Sequence, residues 1–263
     1  MLGSAIFNEL SRSNHDVVGF VRDELDICDF YNVEKSLSDI KPDIVINCAA
    51  YTDVDGCESN NEKAMLVNGE ALKNMAIVCN RLGAYLIHFS TDYVFNGENE
   101  KGYKENDKPY PINVYGQSKF LGEDMIRKNT DKFAIVRTSW LFGPNGKNFV
   151  STMLDLARRM DSLNIVDDQF GCPTYTIDLA KATVYEFVNS EQKNGVFHLT
   201  NTGSTNWYDF ARLILKDTGV DINPVASEEF KRPARRPKHS ILINTKLNKL
   251  RNFDEALHEY LSS

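Results

Sequence analysis

Short apolar runs alternate, in the first half of the chain, with longer segments whose apolar residues recur every three or four positions. The short runs are DVVGFV (16–21), DIVINCA (43–49), AYLIHFS (84–90) and FAIVRTS (133–139). Their length and their β-branched residues are typical of buried strands. Strands that alternate with helices predict an α/β fold, a Rossmann-like doubly wound parallel sheet with helices on both faces. Such sheets bind ligands at the carboxyl ends of their strands.

The helical pattern covers AIFNELSRS, FYNVEKSLSDI, EKAMLVNGEALKNMAIVCNRLG and VYGQSKFLGEDMIRK, and Gly83 is placed to cap the third helix. After residue 145 the alternation becomes looser. Helical patterns continue in NFVSTMLDLARRM, TIDLAKATVYEFVN and NWYDFARLILKDTG, with one clear strand, GVFHLT. We therefore predict a Rossmann-like nucleotide-binding domain over residues 1–145. Residues 146–263 are predicted to form a smaller, mainly substrate-binding lobe that is interleaved with the first domain.

Composition and charge argue against several classes of partner. The chain has 263 residues and a net charge of −7, which argues against a general surface for nucleic acid or anionic membrane. No apolar run has the length of a membrane span, and the N-terminus lacks the pattern of a signal peptide. The five cysteines are scattered and form no C-x-x-C motif, which fits reduced thiols in a cytoplasmic protein. No cluster of residues demands a metal.

Two tyrosine–lysine pairs share a spacing of four residues, which places each pair on one face of a helix. One is Tyr115 and Lys119 in NVYGQSKFLGE, and the other is Tyr31 and Lys35 in YNVEK. Only the first pair has companions, because a predicted strand ends at Ser90-Thr91-Asp92 and reaches the same edge of the sheet. For the second pair we predict an ordinary solvated helix face.

Tyrosine, lysine and threonine together suit the reduction of a carbonyl group. Hydride addition leaves negative charge on the oxygen, which needs a proton donor with a pKa usable near neutrality. Free tyrosine, with a pKa of about 10, is too weak an acid, and a nearby Lys119 cation and an oxidised nicotinamide ring lower that pKa. The Thr91 hydroxyl can hydrogen-bond the same oxygen. Asp92 either tunes the local field or is an ordinary turn residue.

Several motifs along the chain resemble one family when they are taken as an ordered set. They are INCAAYTDVD, FSTDYVFNG, PINVYGQSK, IVRTSWLFG, DDQFGCPT and FKRPARRPKHSIL. The set resembles the dTDP-4-dehydrorhamnose reductases, which are extended short-chain dehydrogenase/reductases, nearly from end to end. The resemblance implies NAD(P)H-dependent reduction of the 4-keto group of a dTDP-linked 6-deoxyhexose to give dTDP-L-rhamnose. Some members of the family are metal-dependent dimers, so a homodimer is possible.

Two other functions are open alongside this one. The chain could be a reductase or epimerase of another nucleotide sugar, because the residues of the pocket do not fix the hexose. It could also be a non-catalytic nucleotide-binding regulatory subunit, because a regulatory subunit of methionine adenosyltransferase resembles the same family.

By position, the resemblance also implies a role for individual residues. Tyr115 is the proton donor, and Lys119 is its partner and holds the nicotinamide ribose. Thr91 and Asp92 adjust the acidity of the donor. The remaining assignments are Ala49, Ala50 and Tyr51 along the cofactor, Asp26 and Ile27 at its adenine end, and Trp140 near the sugar. Tight packing of a strand end also explains the two alanines, and a place in the core also explains Trp140.

The segment KRPARRPK (231–238) concentrates five cations in an acidic protein. It is either a solvated surface or a site where Arg232 or Arg235 contacts the diphosphate of the substrate. The aromatic residues of NWYDFARLIL have helical spacing, so Trp207 and Phe210 are predicted to pack in the interior.

The N-terminus departs from the family pattern of a strand, a G-x-x-G-x-x-G turn and a helix. In MLGSAIFNEL, Gly3 matches the last glycine and the residues after it match the helix. That turn brings backbone N–H groups to the cofactor pyrophosphate. Either the sequence starts within the motif, which the cost of unpaired buried backbone favours, or the protein lacks the segment. In the second case we expect weak cofactor binding and poor stability.

The choice of cofactor rests on the end of the second predicted strand, GFVR. An acidic residue at this place holds the ribose 2′-hydroxyl in many NAD-binding folds. Here Val21 and Arg22 take the place of a carboxylate, and an arginine accommodates a 2′-phosphate. We therefore predict NADPH, with NADH possible, although Arg22 also fits plain loop surface.

Overall fold

Ten helices and ten strands make up the structure, a computed structural model that describes residues 1–263. The helices are α1 (Leu2–Leu10), α2 (Phe30–Ile40), α3 (Val54–Ser59), α4 (Asn61–Met65), α5 (Ala71–Leu82), α6 (Val114–Asn129), α7 (Phe149–Ala157), α8 (Thr176–Thr183), α9 (Trp207–Leu215) and α10 (Phe253–Ser262). The strands are β1 (Ile44–Asn47), β2 (Tyr85–Thr91), β3 (Phe133–Thr138), β4 (Leu141–Phe142), β5 (Ser162–Val166), β6 (Phe170–Gly171), β7 (Thr174–Tyr175), β8 (Gly195–His198), β9 (Thr205–Asn206) and β10 (Asp221–Val225).

The largest sheet has four parallel strands in the order β1-β2-β3-β8. Asn47 of β1 lies beside His88 of β2, and Thr91 of β2 lies beside Thr138 of β3. Strand β8 comes from the second half of the chain, so that half completes the sheet of the first. Three pairs of short strands lie outside this sheet: β5 with β10, β4 with β7, and β6 with β9.

Helices cover both faces of the large sheet, which confirms the predicted doubly wound α/β fold. On one face, α1 and α8 pack over Tyr85, Ile87 and Phe89 of β2. On the other face, α2, α5 and α6 pack over Leu86 and Ile135. A third core lies in the second half of the chain, between α7, α9, α10 and β5. None of the helices is both long enough and apolar enough to cross a membrane.

Polar side chains cap the start of several predicted helices, and a glycine ends one of them. Asp29 caps α2 by accepting a hydrogen bond from the Asn32 N–H at 3.0 Å, and Asn113 caps α6 in the same way with Gly116 at 2.7 Å. Gly83 ends α5 in the left-handed conformation, with φ of 74°, as predicted. In that conformation a side chain would be strained, which explains the glycine.

The prediction of a strand over 16–21 is wrong. The segment makes no ladder with β1, whose only neighbour is β2, so its apolar side chains have no sheet surface to cover. Val18, Phe20 and Val21 are 55%, 46% and 64% exposed. The run has the composition of a strand, but a strand forms only where a partner takes up its backbone hydrogen bonds.

Other boundaries differ from the predictions in smaller ways. The long helix predicted over 62–83 is divided into α4, a π-helical turn at Leu66–Glu70, and α5. A second π-helical turn at Val184–Val188 follows α8. The sequence patterns did not predict β5, β10 or α10.

A buried ion pair joins α6 to the sheet. The Glu123 carboxylate accepts hydrogen bonds from Arg137 Nε at 2.8 Å and Nη2 at 2.7 Å, and a third from the Ser90 hydroxyl at 2.7 Å. Both charged side chains are at most 1% exposed. Because Ser90 lies on β2 and Arg137 on β3, this one carboxylate fixes α6 against two strands.

We expect Glu123→Gln to lower the free energy of unfolding by about 3–5 kcal/mol, since it leaves the buried Arg137 charge unpaired. Urea titration of the wild type and the variant measures this loss. Asp124→Asn is the matched control, because Asp124 pairs with Lys128 on the exposed side of the same helix. It should cost less than about 1 kcal/mol. Equal losses in the two variants would contradict this role for Glu123.

Candidate active site

The candidate site begins at the carboxyl end of β2. Thr91 is its last residue, and Asp92 opens a 3₁₀ turn at Asp92–Val94. The Thr91 hydroxyl oxygen accepts a hydrogen bond from the Tyr93 N–H at 3.2 Å and donates one to Asp92 Oδ1 at 2.9 Å. The strand end and the turn therefore hold both side chains in fixed positions.

Tyr115 lies in the first turn of α6, beside that 3₁₀ turn. Its ring contacts Tyr93 edge to face, with the ring centroids 5.9 Å apart. The next residue is Gly116, where an added Cβ would lie 2.1 Å from the Tyr93 carbonyl oxygen. Only a glycine allows α6 to start this close to β2, and this close approach brings the Tyr115 phenol to Thr91.

Burial raises the pKa of Tyr115 above its ordinary value, and the Asp92 carboxylate adds to this effect. The nearby Thr91 hydroxyl acts in the opposite direction. The protein's own groups therefore raise this pKa, whereas the sequence analysis predicts that Lys119 lowers it. The physical reason is that the phenolate loses more solvation by burial than the surrounding dipoles restore.

Lys119 lies one helical turn after Tyr115 and is 2% exposed. Its ammonium Nζ donates a hydrogen bond to the Phe89 carbonyl oxygen at 2.6 Å and lies 3.2 Å from His88 Nε2. Burial lowers the pKa of Lys119 to about 8, and the Glu123 carboxylate acts in the opposite direction. A lysine with this pKa can gain or lose its proton near neutral pH.

Two buried polar atoms at this edge of the sheet have no hydrogen-bond partner in the protein. They are Asp92 Oδ2 and Thr138 Oγ1. Thr138 ends β3 directly beside Thr91, so both atoms lie at the carboxyl ends of adjacent strands. Buried polar groups are almost always paired, so this unused capacity fits the binding of a polar ligand such as a nicotinamide cofactor or a sugar.

The residues predicted to lie along the cofactor follow β1. Ala49 is exposed, and its N–H donates a hydrogen bond to Asn47 Oδ1 at 3.1 Å. Ala50 and Tyr51 are partly buried, and Asn68 holds the backbone of Tyr51 at both its N–H and its carbonyl group. The loop is thus fixed from the protein side, while the small Ala49 side chain leaves its outer surface open.

Gly3 lies in the first turn of α1, against the end of β1. A Cβ at this position would meet the Cys48 Cβ at 3.4 Å, which is ordinary contact. The fold itself therefore does not demand glycine at this position.

The residues predicted for the adenine end form a small exposed cluster. Arg22 Nη2 lies 3.3 Å from Asp26 Oδ2, and Ile27 is partly buried beside them. The Cys28 N–H, and to a lesser extent Arg22, lower the pKa of Asp26, although burial acts against them. The Arg22 side chain is 71% exposed, so this contact fits an ordinary loop surface as well as a cofactor contact.

Trp140 lies in the left-handed region, with φ of 48°, just beyond the end of β3. Its ring stacks on Trp207 with a centroid distance of 3.4 Å, and an added Cβ at Gly171 would lie 2.5 Å from it. Trp140 is partly buried and packs against the core of the second half of the chain, so part of its surface stays accessible. Trp207 and Phe210 pack as predicted, and Phe210 is fully buried.

The arginine-rich segment is folded against the start of α6. Asp55 of α3 pairs with Arg232 at 3.3 Å and with Arg236 at 2.5 Å. Arg235 is exposed and forms no ion pair, while its carbonyl oxygen accepts a hydrogen bond from Asn113 Nδ2 at 2.7 Å. Of the two predicted arginines, Arg235 therefore has its guanidinium free, and Arg232 does not.

Sequence reasoning missed the polar residues that support this site: Asn47, His88, Asn68, Asp55 and Asn113. A signal was present for two of them. Asn47 and His88 are polar residues inside the otherwise apolar runs IVIN and YLIHF, and the register of the sheet makes them neighbours.

Tyr31 and Lys35 are exposed on α2, as predicted for an ordinary helix face. The structure contains no group of three or more His, Cys, Asp or Glu side chains able to hold a metal.

The whole chain, residues 1–263, matches a family model described as RmlD substrate binding domain. The chain belongs to this family. A spore coat polysaccharide biosynthesis protein of Bacillus subtilis, SpsK, is 40% identical over 266 residues, which are 99% of this chain and 93% of that protein. The dTDP-4-dehydrorhamnose reductase of Escherichia coli is 38% identical over 245 residues, which are 88% of this chain and 82% of that protein.

A solved member of the RmlD family has the same fold. The dTDP-4-dehydrorhamnose reductase from Bacillus anthracis, in complex with NADP, gives a TM-score of 0.95 at 36% identity and covers 99% of this chain and 95% of its own. These matches confirm the predicted family, the α/β fold and the class of enzyme, an oxidoreductase. The NADP complex of this relative agrees with the cofactor predicted from the sequence.

The buried carboxyl of Asp92 leads to a prediction about stability and pH. Burial raises its pKa from 3.8 to about 6, although the nearby Ser240 and Thr91 hydroxyls act in the opposite direction. Its contribution to stability is complete below pH 3.8 and is lost as the pH rises through about 6, because the folded state holds the proton more tightly. We expect Asp92→Asn to remove this loss of stability at neutral pH, because the asparagine side chain carries no charge at any pH in the range. The stability of the variant relative to wild type should be about 2 kcal/mol greater at pH 7.5 than at pH 4, in urea titrations.

Asp168→Asn is the control, because Asp168 is a carboxyl whose pKa is shifted in the other direction. Burial raises the pKa of Asp168, but hydrogen bonds from Ser227 and the Lys238 charge lower it overall. Because the folded pKa lies below 3.8, the effect of Asp168 falls below pH 4, and the stability of this variant relative to wild type should change by less than about 0.5 kcal/mol between pH 4 and 7.5. A relative stability of Asp92→Asn that is the same at both pH values would show that Asp92 titrates normally.

Proposed function

We propose that this protein reduces the 4-keto group of a nucleotide-activated 6-deoxyhexose with NADPH, and that its substrate is dTDP-4-dehydrorhamnose. The observation that carries the proposal is the position of the Tyr115 phenol beside Thr91, at a sheet edge where Asp92 Oδ2 and Thr138 Oγ1 lack partners. The names of the reductase relatives support the substrate.

NADPH supplies the hydride that adds to the carbonyl carbon. Tyr115 donates its phenolic proton to the carbonyl oxygen, so that the ketone becomes a hydroxyl and the phenolate regains its proton from solvent. To hydrogen-bond the same oxygen, the Thr91 hydroxyl has to turn its one proton away from Asp92 Oδ1, to which it donates in this structure. The Lys119 ammonium is held by the Phe89 carbonyl one helical turn away, where its positive charge favours the phenolate that forms during the reaction.

The chain offers a set of groups for the cofactor along one side of the sheet. The N-terminus of α1 provides free backbone N–H groups beside Gly3, which suit a pyrophosphate. The loop of Ala49, Ala50 and Tyr51 lies at the end of β1, next to that helix. Arg22 suits the 2′-phosphate that distinguishes NADPH from NADH, and on binding it would exchange its exposed contact with Asp26, 3.3 Å away, for the phosphate.

The substrate diphosphate is assigned to Arg235, and the sugar to Trp140. The exposed Arg235 guanidinium has no carboxylate partner, so it is free to form paired hydrogen bonds with phosphate oxygens. Asn113 caps α6 and also holds the Arg235 carbonyl, which links this segment to Tyr115. The strained backbone of Trp140 fits a residue that is held in place for ligand contact.

A related sugar nucleotide is the second candidate substrate. One relative, from Streptomyces niveus, is named a dTDP-4-keto-6-deoxy-D-glucose reductase and is 37% identical over 246 residues. The groups assigned here act on the ketone and the diphosphate, which both substrates share. The same assay with each substrate separates the two, because the ratio of kcat/KM values reports the preference.

We expect Tyr115→Phe to lower kcat by about 10²- to 10⁴-fold, because it removes the proton donor. NADPH absorbance, followed with dTDP-4-dehydrorhamnose, measures the rate, while NADPH binding should be little changed. Tyr31→Phe is the matched control, since Tyr31 has the same spacing to a lysine but is 75% exposed. A wild type that oxidises no NADPH with any 4-keto sugar nucleotide would instead support a regulatory subunit.

Arg235→Ala should raise KM for the sugar nucleotide by about 10- to 100-fold, as the loss of hydrogen bonds to a charged group of about 1.5–3 kcal/mol implies. Arg232→Ala should have a smaller effect, because Asp55 already occupies that guanidinium. Steady-state kinetics with varied sugar nucleotide measures both. A larger rise in KM for Arg232→Ala would reverse the assignment.

A further inference from the structure

The protonation of His88 is fixed by a chain of hydrogen bonds that starts at a backbone N–H group. The Ala49 N–H donates to Asn47 Oδ1 at 3.1 Å, which settles the orientation of the Asn47 amide. The Asn47 Nδ2 group therefore points at His88 Nδ1, 3.0 Å away, and donates to it. A neutral imidazole whose Nδ1 accepts a hydrogen bond carries its proton on Nε2.

That proton faces Lys119. His88 Nε2 lies 3.2 Å from Lys119 Nζ, and the ammonium already donates to the Phe89 carbonyl oxygen at 2.6 Å. An N–H group opposite an ammonium is an unfavourable contact between two donors, whereas an uncharged amine accepts a hydrogen bond from the imidazole. The contact therefore disfavours the charged form of Lys119.

We infer that His88 is a positioning residue which, held by Asn47 with its proton on Nε2, sets the protonation of Lys119. The inference rests on the proposed function in so far as Lys119 acts on Tyr115 during reduction. The histidine does not itself contact the reacting atoms. Through Lys119 it sets the upper limit of the pH range in which the enzyme is active.

Few other groups act on the Lys119 charge. Glu123, on the same helix, favours the ammonium. The Cys48 thiol follows β1, and burial raises its pKa to about 12, so it carries no charge near neutral pH. The α-amino group of Met1 acts on Cys48 from the start of α1. Burial lowers the pKa of His88 well below its ordinary value, so the imidazole stays neutral in the range where Lys119 titrates.

The test is Asn47→Asp, a nearly isosteric change that reverses the tautomer. An aspartate accepts a hydrogen bond from Nδ1–H, which moves the histidine proton to Nδ1 and presents the Nε2 lone pair to Lys119. The ammonium is then favoured, and its pKa should rise. Long-range ¹H–¹⁵N spectra with ¹⁵N-histidine report the tautomer, and the ¹³Cε signal of labelled Lys119 reports its pKa. Neither measurement depends on turnover.

We expect wild-type His88 to be protonated at Nε2 and the Asn47→Asp variant at Nδ1, with the Lys119 pKa raised by about one pH unit, a ten-fold change in its ionisation equilibrium. The alkaline limb of kcat/KM for NADPH should move up with it. The double variant Asn47→Asp/His88→Leu keeps the added aspartate charge but has no imidazole. Most of the rise in the Lys119 pKa should therefore be absent in this double variant. His198→Gln is the control for a buried histidine, since its ring bonds the Ile243 carbonyl and not Lys119.

A wild-type His88 that is protonated at Nδ1, or a Lys119 pKa that rises equally in the double variant, would overturn the inference. If both NMR results are as expected but the wild type reduces no keto sugar, the proposed function fails and the link between His88 and Lys119 stands.

Discussion

The buried carboxylate of Glu123 is the constraint on which the site depends. Removing charges from water is so costly that the pair with Arg137 is stable only when every hydrogen bond is made. This requirement fixes both the depth and the rotation of α6 against the sheet. Tyr115 and Lys119 precede Glu123 by two turns and one turn on the same face of α6. The helix therefore presents both groups to the end of β2 because Glu123 is anchored beneath them.

A second constraint joins the reacting end of the site to the arginine-rich segment. Asn113 caps α6 with its side-chain oxygen and holds the Arg235 carbonyl with its side-chain nitrogen. Asp55 holds the same segment from α3 through Arg232 and Arg236. The proposed proton donor and the proposed diphosphate contact thus share one anchoring residue, so their separation is set by the protein and not by the ligand.

The fold was largely predictable because strand and helix periods are local properties of the sequence. The runs at 43–49, 84–90 and 133–139 became β1, β2 and β3, and α2 has the bounds that its pattern predicts. The run at 16–21 failed although its composition is equally suited to a strand. Pairing is a property of two segments, and β1 has a single neighbour, β2. The π-helical turns also escaped prediction, because their extra residue leaves the apolar pattern almost unchanged.

The sequence by itself determined the family and the α/β fold, and it predicted Thr91, Tyr115 and Lys119 as the reacting groups from their shared sheet edge and the resemblance to a family. Only the tertiary structure decided what surrounds them. In the tertiary structure Asn47 lies beside His88, and Asp92 Oδ2 has no hydrogen-bond partner. Asp55 forms an ion pair with Arg232 and not with Arg235. Proton affinity and hydrogen bonding depend on burial and on atoms that are distant in the chain, and no local pattern of residues encodes those distances.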